Sequence, residues 1–267
     1  MAPPEPEPEP EREPAAEPEL HAPEPEADGR ANAPGPALMG THDASEHLFR
    51  TDIKLANGME LAIWQDPLSK FSTLLGHSLY PAASVLVQWF SDVPDGQSVF
   101  GGKHVLELGA GLGAVGMALA KLYGARVLVT DQAGLVPLMQ YNIAMNFSQA
   151  QVDRPVARGL PAVPVPTARP LSWGKETTGE VEGHWDWVVG SDVAYAGKHQ
   201  ELIETLLYES GRNTRITLAL SDRAQRVNLE EFLESAEEFF EIRLVKRVEW
   251  KFQQQLGVEL YELARRM

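Results

Sequence analysis

The sequence predicts an α/β domain with a mainly parallel sheet covered by helices on both faces. Three observations carry this prediction. Short apolar runs alternate with helical stretches five times. A glycine-rich turn joins one of those runs to its helix. The last two runs follow each other with no helix between them, as a closing antiparallel pair would.

Taken in order, Thr51–Ala56 and Met59–Gln65 read as short strands. Asn57-Gly58 between them is a two-residue hairpin signal, because both residues tolerate positive φ. Pro81 suits the first turn of a helix whose apolar face runs through Ala82–Phe90. Val105–Leu108 is an apolar run carrying Glu107. Gly109, Gly111 and Gly113 follow at alternate positions, then a helical stretch, Ala114–Tyr123. Val127–Thr130 is the next apolar run and Asp131 closes it, leading into a helix over Leu135–Asn146. Residues 148–184 are loop-rich, with one short strand expected near Ala162–Val165. His184–Gly190 reads as a buried strand ending at Ser191-Asp192. Lys198–Glu209 is helical, with Leu202, Ile203, Leu206 and Leu207 on one face. A strand over Arg215–Leu220 and a helix over Asn228–Phe239 follow. Glu241–Arg247 and Val258–Ala264 close the domain around a Gln253–Gly257 turn.

Strand, tight glycine turn, helix, strand and terminal acid form the front half of a nucleoside-cofactor site. Two cofactors fit. Gly111-x-Gly113-x-x-Gly116 matches the dinucleotide fingerprint. Glu107-x-Gly109-x-Gly111-x-Gly113 matches the first motif of enzymes that use S-adenosyl-L-methionine (AdoMet). Gly111 lies three residues past Leu108, late for a dinucleotide turn. An acid beside the first glycine suits a sulfonium nucleoside with an ammonium group better than a pyrophosphate. Asp131 can accept hydrogen bonds from both ribose hydroxyls. A glycine turn in some other α/β protein is the remaining alternative.

Composition narrows the classes further. The first forty residues hold eleven of the chain's twenty prolines, with ten acids against two bases. Such a segment cannot bury enough apolar surface to offset its ordering entropy, so a disordered, PPII-leaning tail is expected over residues 1–45. A single domain is expected over 46–267, with enough residues for one substantial core. The formal charge of −15 divides into −8 for residues 1–40 and −7 for the rest. An acidic body without a basic run argues against nucleic acid as the main partner. No apolar run reaches membrane-spanning length, and the N-terminus lacks a basic start and apolar core. There are no cysteines, which excludes disulfides and thiolate metal sites and suggests a cytoplasmic or nuclear protein. The seven histidines form no metal-ligand spacing, so no metal is expected.

The later motifs allow a family to be named. Trp185-Asp186-Trp187-Val188-Val189-Gly190-Ser191-Asp192-Val193-Ala194-Tyr195 resembles the signature of the seven-strand protein-lysine methyltransferases, methyltransferase family 16, whose DxxY motif falls on Asp192 and Tyr195. Leu171-Ser172-Trp173-Gly174 resembles their L-x-W-G segment. Ser221–Arg226 followed by Glu231-Phe232 is similar to the segment after their next strand. Gly76–Ala83 matches an upstream segment, except that Tyr80 stands where the family usually has tryptophan. The resemblance covers about residues 50–265.

It implies a Rossmann-like seven-strand AdoMet methyltransferase fold that ends in an antiparallel strand pair. It also implies roles. Gly109, Ala110 and Gly111, with Glu107 beside them, would line the methionine end of AdoMet. Tyr80 would pack near the amino-acid end, Asp131 would hold the ribose, and Trp173 would lie against the adenine. Ser191 would contact the cofactor, and Asp192 and Tyr195 would shape the lysine entrance as the catalytic pair. Each has a plainer alternative: Asp131 and Asp192 as helix-cap or turn residues, Trp173 and Tyr195 as packing aromatics. Trp185 and Trp187 alternate along a strand and read as packing on opposite sides.

The expected activity is therefore AdoMet-dependent protein-lysine N-methylation by a monomer acting on a protein substrate. A small-molecule N-methyltransferase on the same fold, a cofactor-binding protein without catalysis, and an NAD enzyme stand as alternatives. Methyl transfer needs alignment and desolvation of the amine, not a covalent enzyme nucleophile or a metal. The absence of a Cys–His pair or serine elbow agrees with it.

Overall fold

The computed structural model describes residues 47–68, 76–147, 163–195, 197–223, 227–252 and 255–266. The expected tail over 1–45 and the first residue of the strand expected near Ala162–Val165 lie outside them. The strands are β1 (Phe49–Lys54), β2 (Glu60–Gln65), β3 (His104–Leu108), β4 (Arg126–Asp131), β5 (Thr167–Pro170), β6 (Trp187–Ser191), β7 (Arg215–Arg223), β8 (Phe240–Phe252) and β9 (Gln255–Arg265). The helices are α1 (Pro81–Ser91), α2 (Gly96–Phe100), α3 (Ala114–Tyr123), α4 (Val136–Asn146), α5 (His199–Glu209) and α6 (Val227–Ala236).

Seven strands form one sheet in the order β5-β4-β3-β6-β7-β9-β8. The first five run parallel. β9 inserts between β7 and β8, antiparallel to both. This is the seven-strand Rossmann-like arrangement. Alternation along each strand divides the core. Val105, Val127, Val129, Trp187 and Val189 pack on one face with residues of α1, α3 and α4. Leu106, Leu108, Leu128, Val188 and Leu218 pack on the other with α5 and α6. Trp185 and Trp187 do fall on opposite sides. Two residues apart on one strand they would share a face, but Trp185 lies before β6 begins at Trp187.

Several expected boundaries move: β1 runs Phe49–Lys54 and not Thr51–Ala56, β6 begins at Trp187 and not His184, β7 runs on to Arg223 past Leu220, and α6 spans Val227–Ala236 and not Asn228–Phe239. Residues 163–166 are not in a strand, and β5 begins at Thr167, pairing with β4. Pro164 and Pro166 have no N–H to give a ladder, so pairing starts beyond them. The closing hairpin is longer than expected, with β8 reaching Phe252 and β9 starting at Gln255. The five-residue α2 was not foreseen; it seats Phe100, fully buried, against Phe90, Tyr123 and Trp187.

β1 and β2 form a separate antiparallel pair. Lys54 pairs with Glu60, and Leu55 N–H donates to the Met59 carbonyl at 2.8 Å. The loop is therefore three residues, Ala56–Gly58, and not two. Gly58 takes φ +79°, and Asn57 Oδ1 accepts from Met59 N–H at 3.0 Å. The Asn-Gly pair serves this bulged loop equally well.

The free edge of β2 is closed by side chains of α4. Asn142 Oδ1 accepts from Trp64 N–H at 2.7 Å, and its Nδ2 donates to the Trp64 carbonyl at 3.0 Å. Asn146 makes the same pair of bonds with Ala62, at 2.9 and 2.7 Å. The match is geometric. Four residues on a helix rise about 6 Å, close to the roughly 6.6 Å between every second residue of a strand. Two amides thus stand in for a neighbouring strand. Asn142→Ala should leave the Trp64 N–H and carbonyl without these partners, at about 1–3 kcal/mol for each orphaned group. Urea unfolding should show a lower midpoint at unchanged slope. An unchanged midpoint would remove this docking role.

Candidate active site

The site sits where the sheet's strand order reverses. The chain builds outward from β3 through β4 to β5, then returns to the other side of β3 with β6. Loops leaving the carboxyl ends of β3 and β6 therefore diverge and leave a crevice. A cavity of about 520 Å³ opens there, within the usual range for small-ligand sites.

One wall is the glycine loop after β3. Gly109, Gly111 and Gly113 take φ of +58°, +53° and +76°. A Cβ on Gly111 would lie 2.9 Å from the Gly76 carbonyl oxygen, so the backbone can approach that closely only without a side chain. The loop is tied to β4 at two points. Ala110 N–H donates to the Thr130 carbonyl at 2.9 Å, and Gly111 N–H donates to Asp131 Oδ2 at 2.8 Å. Asp131 Oδ1 accepts from Gln132 N–H at 2.7 Å. Burial pushes the Asp131 carboxyl up to about 6, against the pull of these two backbone donors.

The facing wall is the turn after β6. Ser191 ends the strand, Asp192 turns the chain at φ +55°, and Val193 is buried. A Cβ on Gly109 would lie 2.8 Å from Val193 Cγ1 and 3.0 Å from Trp173 Cζ2, so both walls meet at that glycine. The rings of Trp173 and Tyr195 lie 5.7 Å apart. Burial raises the Tyr195 phenol, and the negative charge of Asp131 raises it further. Tyr80, the residue before α1, closes another side.

Nine expected site residues therefore line one cavity: Tyr80, Gly109, Ala110, Gly111, Asp131, Trp173, Ser191, Asp192 and Tyr195. Glu107 does not, which corrects its expected place beside the cofactor. Strand alternation turns Leu106 and Leu108 to one face of the sheet and Glu107 to the other, beneath α3. There Glu107 Oε2 accepts from Gly116 N–H at 2.7 Å, and Oε1 has no hydrogen-bond partner among the described residues. Burial drives this carboxyl up to about 8, the Gly116 donor opposes that rise, and the Asp131 charge adds to it. A Cβ on Gly116 would lie 2.8 Å from Glu107 Oε2, so that glycine also makes room for the acid.

The cavity also takes residues the motifs did not single out as site residues: Ser78, Gln132, Ser172, Lys175 and Lys198. Gln132 follows Asp131 directly, and Lys175 follows Trp173 by two, so adjacency to motif residues was a usable signal. Lys198 pairs with Glu201 at 2.9 Å, which holds its ammonium above the usual range.

Comparison with known proteins follows the same lines. The sequence model described as lysine methyltransferase matches residues 55–239. EEF1A lysine methyltransferase 3 of Xenopus tropicalis is 33% identical over 149 residues, 55% of this chain and 60% of that protein. Protein-lysine methyltransferase METTL21E of Mus musculus is 30% identical over 171 residues, 62% of this chain and 64% of that protein. The matched region thus spans less than two thirds of these relatives' own length. Among solved structures, P. horikoshii TYW2 in complex with MeSAdo superposes with a TM-score of 0.55 at 13% identity, covering 84% of this chain and 73% of that one. A putative transferase from Pyrococcus horikoshii gives 0.54 at 14%, covering 83% and 72%. At such identities these two likenesses speak for the fold.

Proposed function

The chain belongs to the lysine methyltransferase family, and from that premise we propose that it is an AdoMet-dependent protein-lysine N-methyltransferase. One observation carries the reading: the glycine loop and Asp131 face the Asp192–Tyr195 turn across a single cavity at the carboxyl ends of the parallel strands. The cavity fits an adenosyl cofactor on its own geometry. Its loop excludes a Cβ at Gly109 and Gly111, and it sets one buried acid at the end of β4.

Asp131 would accept from the ribose hydroxyls, and its bond to Gly111 keeps the glycine loop in place for the same ligand. Gly109, Ala110 and Gly111 would border the methionine portion, with Tyr80 nearby. Trp173 and Ser191 would contact the cofactor from the opposite wall. When bound, AdoMet supplies a methyl group on a sulfonium, an electrophile that needs no covalent enzyme nucleophile. The acceptor amine has a reference pKa of about 10.4 and must shed a proton to water before it can react. The burial that raises the Tyr195 phenol would disfavour an ammonium beside it, while the Asp131 charge that raises it further would favour one. The Tyr195 ring against Trp173 would direct that amine along one line of approach.

The acidic body supports a protein acceptor over a nucleic acid. The lack of cysteine supports a cytoplasmic or nuclear setting, and the chain is taken to act as a monomer. Calorimetry should detect AdoMet or S-adenosyl-L-homocysteine at micromolar-order affinity, about −8 kcal/mol. Tritiated AdoMet incubated with a lysate freed of small molecules should label a discrete protein band. Saturable NAD binding without an AdoMet response would sink the cofactor assignment. Label recovered only in added small amines would replace the protein acceptor with a small-molecule one.

A further inference from the structure

The turn after β6 is held from outside the cavity. Asp192 is one of two non-glycine residues with positive φ among the described residues, a conformation that is costly for an L residue. Three hydrogen bonds keep it there. Its N–H donates to the Ala219 carbonyl at 2.8 Å. Its Oδ1 accepts from Ser221 N–H at 2.9 Å, and its Oδ2 accepts from Ser221 Oγ–H at 2.9 Å. These two carboxylate bonds come from one residue, 29 positions further along, on the neighbouring parallel strand β7. A carboxylate gripped on both oxygens by a single residue has its plane fixed.

The fixed turn sets the cavity wall. Val193, the next residue, packs on the glycine loop at Gly109. Tyr195, two further on, donates its own N–H to the Val193 carbonyl at 3.2 Å and lays its ring near Trp173. If Asp192 left the left-handed region, both contacts would swing together.

We propose that Ser221 is a positioning residue for methyl transfer: it clasps the Asp192 carboxylate and so holds the Val193–Tyr195 wall, and that carboxylate acts as the clasp and not as the acceptor of the lysine's proton. The amine's proton then leaves to water. This assignment rests on the methyltransferase reading of the cavity and adds a residue to it.

Full-length wild type, Ser221→Ala and Ser221→Thr test it by amide hydrogen exchange at Asp192–Tyr195 and by transfer of label from tritiated AdoMet. Ser221→Ala should speed exchange there about tenfold, the worth of one hydrogen bond to a charged group. Turnover should fall by about tenfold, and by more than KM for AdoMet rises, since the ties of the glycine loop to Thr130 and Asp131 do not involve Ser221. Ser221→Thr keeps the hydroxyl and should restore both. The rise of rate with pH should keep its position in all three proteins, because no proton acceptor has been removed. Unchanged exchange in Ser221→Ala, no rescue by threonine, or a displaced pH profile would each overturn the clasp. If Ser221→Ala does not fold, Ser221→Cys, with its weaker donor, should give intermediate exchange; wild-type exchange would count against the proposal. Wild type that transfers no label ends the activity reading, and the exchange comparison still decides the clasp.

Discussion

Cofactor affinity should fall about tenfold for each pH unit below 6 and level off above it. Asp131 is the cause. Its carboxyl is pushed up to about 6 by burial, although Gly111 and Gln132 both donate to it. The ionised carboxylate is the stronger acceptor for the two ribose hydroxyls, so binding draws the group's pKa down in the complex. Affinity then rises with pH between the complex value and the free value, and is flat above the free value. The protonated acid has one oxygen occupied by its own hydrogen, which competes with the ribose. Asp131→Asn imitates that form permanently. It should bind S-adenosyl-L-homocysteine about 1–3 kcal/mol more weakly at pH 8, the range for hydrogen bonds to a charged group. It should also lose the pH dependence. Calorimetric titrations from pH 5 to 8 on both proteins check this. A flat wild-type profile, or a sloping Asp131→Asn profile, would assign the dependence to another group.

The parts of the site legible in the sequence are those fixed by local spacing. Three glycines at alternate positions after an apolar run permit a tight turn through positive φ, and all three have it. Asp131 and Asp192 were legible because each ends an apolar run, and parallel strands deliver their ends to one edge. The inserted β9 was foreshadowed by two successive strands without a helix. What failed needed knowledge of faces and partners. Glu107 sits in the right motif, but a residue's place in a motif does not say which side of the strand it takes. The alternation that buries Leu106 and Leu108 in one core sends Glu107 into the other. The Ser221–Asp192 clasp depends on β6–β7 register. The asparagine ladder on β2 joins residues 84 and 78 positions apart. No local pattern encodes such pairs. β5 was misplaced because Val163 and Val165 carry strand propensity while the intervening prolines deny the ladder its donors.

Glu107→Gln should make the folded protein more stable at neutral and alkaline pH, by roughly 3 kcal/mol at pH 7. The wild-type carboxyl titrates near 4.5 when unfolded and at about 8 when folded, chiefly because its burial disfavours the charged form. Between those values the folded state holds a proton that the unfolded state has released. Unfolding is therefore favoured progressively as pH rises from about 4.5 to 8, and the loss is complete above 8. The amide is the neutral form's near-isostere and cannot ionise. Its oxygen can still accept from Gly116 N–H, so α3 keeps its tie to β3. The two proteins should thus have similar stability near pH 4.5 and diverge steadily up to pH 8. Urea midpoints measured at pH 5, 7 and 8.5 follow the gap directly, and taking the difference cancels every other titrating group. Parallel curves would show that Glu107 ionises normally in the folded state. Parallel curves together with a loss of S-adenosyl-L-homocysteine affinity would return Glu107 to the cavity, as the anion facing the cofactor's ammonium.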